Sequence, residues 1–395
     1  MTTDDVVIVA AARTAQGRLN GQLASFSATD LGAAAIRGAL ERGGVDPANV
    51  DAVIIGHVLQ AGAGQNPAKQ TALAAGLDRT VHATSVNKVC LSGLTAVIDA
   101  RRMILVGDAQ VVVAAGMESM THAPHLLPGS RVGWKYGNFE VLDHLAHDGL
   151  RDAYDGTSMG ATTDEANPRF DVTREQQDAA AHRSHSRAAA AQRGGVFADE
   201  IVPLSVVARG GESRIVDTDE GVRHDSTPES LAGLRPAFTE GGSVTAGNSS
   251  PLSDGASAVV LTTRTRAKRE RWTVLAVVGE SGQVAGTDNT LHEQPANALA
   301  VACQKQGINP ADLDLVEINE AFGAVVVQSQ RRLGLLDDVV NIHGGGIAVG
   351  HPLGASGNRL VVHAAHELHR RGIGTAGVAL CGGGAQGEAL ILTAS

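Results

Sequence analysis

Aromatic residues are scarce: Phe, Tyr and Trp together make up only 3% of the 395 positions. A core built without rings must come from Val, Ala, Leu and Ile, the composition of buried parallel strands covered by helices. There are three cysteines, at 90, 303 and 381, too few for a disulfide framework and without the paired C-x-x-C spacing of structural zinc. Positive charge is lacking too. The formal net charge of −10 argues against nucleic acid or an anionic membrane surface as the main partner. The one basic run, Arg264 to Arg271, has no interleaved aromatics and follows strand-like Ala258 to Leu261, so it reads as a solvated helix face. No apolar run approaches the roughly 18 residues of a membrane-spanning helix. The chain starts acidic, Met1-Thr-Thr-Asp-Asp5, and reaches strand-like Val6 to Val9 at once, without the features of a signal or transit peptide. A cytoplasmic protein is expected.

What is present is apolar content, at 43%, and 48 glycines that follow no three-residue period, so they mark tight turns and close backbone approaches. The length suits more than one packed unit. An internal repeat shows how they are organised. Gly44-Val-Asp-Pro-Ala-Asn-Val-Asp-Ala-Val-Ile-Ile55 recurs without a gap as Gly307-Ile-Asn-Pro-Ala-Asp-Leu-Asp-Leu-Val-Glu-Ile318. Each copy reads as a helix, a glycine stop, a proline turn and a hydrophobic strand. Further on, Ser92-Gly93 opens a helix to about Val106, followed by strand Val111 to Ala115. Ser356-Gly357 opens another to about Arg370, followed by strand Gly377 to Leu380. The offset is 263 residues in the first echo and 264 in the second, and a shared register over that distance implies a duplicated α/β unit. The expected division is a first half at 1–119 plus 249–270, an inserted segment at 120–248 with one clear helix at Thr173 to Gln192, and a second half at 271–395.

Cys90 precedes the helix that opens at Ser92, where unpaired N–H groups and the positive dipole end would lower a thiol pKa from its reference near about 8.5. His351 lies in a stretch, Gly344 to Gly357, with six glycines in fourteen residues, and Pro352 stiffens the turn that aims its ring. No Gly-Lys-Ser/Thr follows, which excludes a phosphate-binding loop. Cys381 ends a hydrophobic strand and is followed by three glycines whose N–H groups are free to face an oxyanion. Asn319-Glu-Ala-Phe322 closes another strand, and strand ends are where open α/β sheets place their sites. Cys303 reads as a small buried hydrophobe, and His343, His363, His366 and His369 as core or surface positions.

Cys90-x-Ser, Asn319-Glu-Ala-Phe, Gly350-His-Pro-x-Gly-x-Ser-Gly and Cys381-x-Gly, in this order, resemble the four catalytic loops of the thiolases. The likeness runs over nearly the whole chain. It takes in Gly64-Gln-Asn-Pro-Ala68, Gly116-Met-Glu-Ser-Met120, Leu234-Arg-Pro-Ala-Phe238 and Thr245-Ala-Gly-Asn-Ser-Ser250, and within the family it is most similar to bacterial acetyl-CoA acetyltransferases.

The resemblance implies a layered α-β-α-β-α core with an inserted loop domain, and a ping-pong acyl transfer. Cys90 would be the nucleophile, His351 its base and Cys381 the second acid and base. One oxyanion hole would be made by His351 and a water held by Asn319, the other by the N–H groups of Cys90 and Gly383. Coenzyme A would lie near Arg223, Ala246 and Ser250, with Met159, Ala321 and Phe322 around the acyl group. Substrates would be acetyl-CoA, acetoacetyl-CoA and CoA, with no metal and no prosthetic group. His125 to Gly149 resembles a tetramerisation loop, which implies a dimer of dimers.

Some positions depart from the family pattern. Leu91, Gly382 and Ala385 flank the cysteine loops, Ser158 replaces a frequent histidine, and Ala285 to His292 lacks the usual Met-Gly-Thr-Gly-Pro character. These leave a broader 3-ketoacyl-CoA thiolase as the second reading. A papain-like hydrolase explains neither Cys381 nor the duplication. A decarboxylating ketoacyl synthase would be expected to carry Cys-His-His. A non-catalytic acyl-CoA or lipid carrier would tolerate the loss of a catalytic group, and none is missing.

Overall fold

The duplication read from the sequence governs how the chain is built. The structure, a computed structural model, describes residues 4–207 and 211–395. The first three residues of the acidic start, and 208–210 within the inserted segment, lie outside the described residues. The first half runs β1 (Val6–Thr14), α1 (Ala28–Gly43), β2 (Ala52–Gly56), β3 (His82–Val86), α2 (Ser92–Leu105) and β4 (Val111–Ser119). The intervening stretch carries α3 (Met159–Ala166) and α4 (Arg174–Arg193), and the chain returns as β5 (Ser253–Thr263). The second half runs β6 (Ala276–Ala285), α5 (Gln294–Gln306), β7 (Leu315–Ile318), α6 (Gly323–Leu333), α7 (Leu353–Arg371), β8 (Thr375–Gly382) and β9 (Gln386–Thr393).

The strand order is β7-β8-β9-β6-β1-β5-β4-β2-β3. In the first half β2 is parallel to β4, β4 antiparallel to β5, and β5 antiparallel to β1. In the second, β7 is parallel to β8, β8 antiparallel to β9, and β9 antiparallel to β6. The two series meet where Val7 faces Val277 and Ile8 faces Ala276. The repeat is physical as well as textual: α1 ends at Gly44 with φ 60° and α5 at Gly307 with φ 77°, the left-handed cap that glycine adopts at no steric cost. One difference lies at α7, which starts at Leu353, three residues before the expected Ser356, because Pro352 at φ −65° already has a helix-compatible angle and forms its cap.

Side chains alternate across each strand, so one set faces inward and the other outward. Leu94, Val97 and Ile98 of α2 and Leu360, Val361 and Ala364 of α7 are buried between the two sheet halves, against Ile8, Val112, Leu261, Val378 and Leu390. Leu31, Ile36 and Ala39 of α1 cover the outer face of the first half. Leu299, Ala302 and Cys303 of α5 cover the second, which places Cys303 in the core as expected. This is the layered α-β-α-β-α arrangement. The first turns of α2 and α7 cross closely, and a Cβ on Gly357 would come within 2.6 Å of the Leu94 amide nitrogen. Only glycine permits that approach, and it brings the loops preceding the two helices together.

The inserted stretch holds more structure than its polar sequence suggests. Beyond α4 it contains α3, whose Gly160, Thr162 and Thr163 are weak helix formers. Ser158 caps α3 by accepting from the Ala161 amide at 3.3 Å. Arg13 of β1 anchors the stretch to the core, bonding Glu200 at 3.0 Å and Asp219 through both terminal nitrogens at 2.8 and 3.0 Å. His363 of α7 shares Glu200 at 2.5 Å. The basic run after β5 forms a short helix, Arg264–Glu270, in which Arg264 pairs with Asp5 and Arg266 with Glu270. Among the described residues no helix is long and apolar enough to cross a membrane, and no group of three or more His, Cys, Asp or Glu is placed to hold a metal ion.

Candidate active site

Cys90 sits in the turn between β3 and α2 and is buried. The residue before it, Val89, has φ 52°, a left-handed angle that a β-branched side chain resists. Side-chain bonds hold that strain in place: the Val89 amide donates to Asn87 Oδ1 at 3.0 Å, while Ser92 Oγ accepts from the Lys88 amide at 2.8 Å and donates to the Val89 carbonyl at 2.6 Å. The expected lowering of the thiol pKa does not occur. Burial outweighs the helix terminus and pushes Cys90 up to about 12, with the nearby Glu118 carboxyl adding to the rise. At neutral pH the group is a thiol.

His351 is buried at the start of the α7 cap. Its backbone N–H donates to Ser253 Oγ at 3.1 Å, and its Nδ1 lies 2.5 Å from Ser356 Oγ, which donates to the Pro352 carbonyl at 2.9 Å. Since the hydroxyl proton is committed to Pro352, Ser356 accepts from Nδ1–H, and Nε2 keeps its lone pair. The Asn319 side-chain amide at the end of β7 lies 3.3 Å from that Nε2. Burial pushes the His351 pKa down to about 3, with a smaller contribution from the Arg359 cation, so the ring is neutral. Asn319 is fixed in turn by its backbone N–H, which donates to the Ala379 carbonyl at 3.0 Å.

Cys381 is buried near the end of β8 in one apolar cluster with Ala321, Phe322, Val244, Val325 and Leu291, against which Met159 packs. Burial raises its thiol pKa above the ordinary range, and the neighbouring Cys90 raises it further. A Cβ on Gly382 would come within 2.7 Å of Leu91 Cγ, and Gly383 lies against Val89, so the two cysteine loops are in contact. Ala385, where the family pattern has glycine, holds φ 52°.

The structure therefore brings His351 to Asn319, Cys90 to the Cys381 loop with Gly383, and Cys381 to Met159, Ala321 and Phe322. Ser250 joins them through its amide and hydroxyl, both donating to the Ala321 carbonyl at 3.0 and 3.1 Å. Ala246 and Arg223 are exposed, the latter just beyond Val222, which packs on Ala348 and Val349. A cavity of about 630 Å³ opens beside these loops, with Val89, Met159, Leu291 and Gly383 in its lining.

Sequence reasoning missed three supports. Glu118 is buried and accepts from the amides of Val58, Leu59 and Gly354 at 3.1, 3.0 and 2.9 Å, fastening the segment after β2 to the first turn of α7. Burial pushes its carboxyl up to about 7. Glu320 accepts from Ser184 of α4, Asn341 and the Ile347 amide, tying the inserted stretch to the strand end that carries Asn319. Both glutamates stand inside quoted motifs, which was the available signal. Leu291 had none beyond the irregularity of the stretch Ala285 to His292.

Two buried thiols on touching loops, and a neutral imidazole paired with a carboxamide, all in loops of two like halves, define a class, an acyltransferase on a duplicated α/β fold. Comparison with known proteins agrees: residues 6–265 match the family described as "Thiolase, N-terminal domain" and 272–394 match "Thiolase, C-terminal domain". The chain belongs to the thiolase family. It is 52% identical to the "Probable acetyl-CoA acetyltransferase" of Mycobacterium leprae (strain TN), covering 100% of both chains. It is 46% identical to the "Acetyl-CoA acetyltransferase" of Chromobacterium violaceum, covering 98% of each. Its fold superposes on human mitochondrial 3-ketoacyl-CoA thiolase with a TM-score of 0.94 at 35% identity, covering 100% of both chains.

Proposed function

We propose that the protein is an acetyl-CoA C-acetyltransferase, joining two acetyl-CoA into acetoacetyl-CoA and CoA, reversibly and by a ping-pong route. The observation that carries this reading is the chain from Asn319 through His351 to Ser356, together with two buried thiols on loops that touch each other. In the first half-reaction the Cys90 proton passes to His351 Nε2 as sulfur bonds to the thioester carbonyl carbon. The imidazolium so formed holds that proton into the second half-reaction, where its N–H and a water held by Asn319 face the enolate oxygen of the second acetyl-CoA. The C–S bond to CoA breaks, and the CoA thiolate takes the Cys381 proton. In the second half-reaction the Cys381 thiolate removes an α-proton from a second acetyl-CoA. The carbanion attacks the acetyl group on Cys90, and the Cys90 thiolate leaves and recovers its proton from His351. The amides of Cys90 and Gly383 serve the tetrahedral intermediate.

In this reading CoA lies along Ser250 and Ala246 with Arg223 toward its charged end, Met159, Ala321 and Phe322 surround the acyl group, and neither metal nor prosthetic group takes part. The chain divides at 1–119 with 249–270, 120–248, and 271–395, and acts in the cytoplasm as a homotetramer. In support of the tetramer, Trp134, Tyr136, Phe139 and Val132 are exposed on one loop, with Trp134 and Phe139 stacked at 4.6 Å, a surface suited to burial against another subunit. A broader 3-ketoacyl-CoA thiolase is the second reading, favoured by the likeness of the fold to human mitochondrial 3-ketoacyl-CoA thiolase.

The test is thiolysis of acetoacetyl-CoA against a medium-chain 3-ketoacyl-CoA, followed across pH. Preference for acetoacetyl-CoA supports the first reading, and equal or greater rates with the longer chain support the second. Because the Cys90 thiol ionises near 12 and His351 near 3, the free enzyme stays in its thiol and neutral-imidazole form throughout. The acylation kcat/KM is therefore expected to show no limb from either group between about pH 5 and about pH 9, an inflection near about 7 being that of Glu118. An alkaline limb near the reference cysteine value of about 8.5 would show the Cys90 thiol to be unperturbed.

A further inference from the structure

Leu291 and Met159 are the two residues shared by the cavity lining and the buried cluster around Cys381. Leu291 is only 2% exposed, although the connection between β6 and α5 in which it stands begins with the exposed residues Gly286 to Asp288. Its neighbours in sequence are pinned on both sides to the inserted stretch. Before it, Asp288 pairs with Arg169 at 2.5 Å and Asn289 donates to Asp155 at 3.2 Å. After it, His292 Nε2 lies 2.9 Å from Asn167 Oδ1, and its ring stacks on Phe170 at 4.6 Å. These contacts leave Leu291 little freedom to withdraw. Beyond it lies the cavity, whose walls combine Val89, Leu142 and Tyr154 with the charged Asp148, Arg151 and Asp152, and whose volume is in the small-molecule range of about 300–1,000 Å³.

We propose that Leu291 is the chain-length determinant of the acyl site, closing the space around Cys381 off from the cavity so that short 3-ketoacyl chains fit and longer ones do not. The inference rests on the thiolase reading and names the part of the acyl site that sets its substrate range. Met159 forms the rest of the partition from α3. Removing the Leu291 side chain joins the two spaces, and the carbons of a longer chain then reach the Val89 and Leu142 side of the cavity that wild type denies them.

The experiment measures thiolysis of acetoacetyl-CoA and 3-ketooctanoyl-CoA by wild type, Leu291→Ala, Leu291→Met and the paired surface change Asp288→Ala with Asn289→Ala. The ratio of long-chain to short-chain kcat/KM is expected to rise by roughly tenfold or more in Leu291→Ala, the scale of discrimination an apolar pocket achieves. Leu291→Met, which conserves volume, should keep the wild-type ratio. The paired change, which cuts the anchors before Leu291 and keeps His292 on Asn167 and Phe170, should shift the ratio in the same direction by a smaller factor. It also keeps the test decisive should Leu291→Ala fail to fold. An unchanged ratio in folded, active Leu291→Ala, or in the paired variant where that protein is lost, overturns the proposal while leaving the thiolase reading in place. Absence of thiolysis by wild type on both substrates would instead overturn the function on which the proposal rests.

Discussion

Cys90→Ser is expected to retain the fold and lose acyl transfer, with kcat falling by at least about a thousandfold, as when a nucleophile is removed from a unit that acts together. The site is buried, so replacing sulfur by oxygen changes little volume and leaves the Val89 turn and the start of α2 in place. The chemistry changes far more. A serine hydroxyl is a much poorer nucleophile toward a thioester, and where an ester does form on it the carbanion of the second half-reaction must expel an alkoxide, a far worse leaving group than a thiolate. Circular dichroism and thermal unfolding close to wild type, together with lost thiolysis, are the expected results. Activity above about a tenth of wild type would remove Cys90 from the centre of the mechanism.

Cys381→Ala should separate the two half-reactions. Acylation of Cys90 needs its thiol and His351, both of which remain, and CoA can leave as the thiolate and take its proton from water in place of Cys381, so a single exposure to acetyl-CoA should still label Cys90. Deprotonation of the second acetyl-CoA has no base, and steady-state turnover is expected to fall by about a hundredfold to ten-thousandfold, the usual range for a positioned acid or base. The truncation leaves a small void beside Phe322 and Leu291, with a stability cost of about 1 kcal/mol. Rapid-quench labelling of the variant beside its turnover rate makes the comparison. Turnover near wild type would assign the proton transfers elsewhere.

Much of this arrangement was legible before any coordinates, for identifiable reasons. The duplication showed because glycine stops and proline turns recur at a fixed offset, and the caps at Gly44 and Gly307 have the same backbone form. The four loops showed because glycine, proline and cysteine are uncommon enough at strand ends to stand out. What did not show was burial. Cys90 read as an activated thiol because a helix terminus is visible in sequence, whereas the desolvation that raises its pKa comes from Val58, Leu59, Met120, Leu145 and Leu353, all distant along the chain. Leu291 was hidden for the same reason, since its importance comes from Cys381, Phe322 and Met159 gathering around it. Glu118 and Glu320 stood within recognisable motifs, yet their partners are backbone amides and side chains that only the folded chain brings near.

The central claim is that acyl transfer proceeds through a thioester on Cys90. Intact-protein mass spectrometry after brief mixing with acetyl-CoA, followed by peptide mapping, tests it most directly. The expected result is one acetyl group per chain, located on Cys90 and discharged by added CoA. No adduct, or an acetyl group on Cys381 or Cys303 in place of Cys90, would contradict the account.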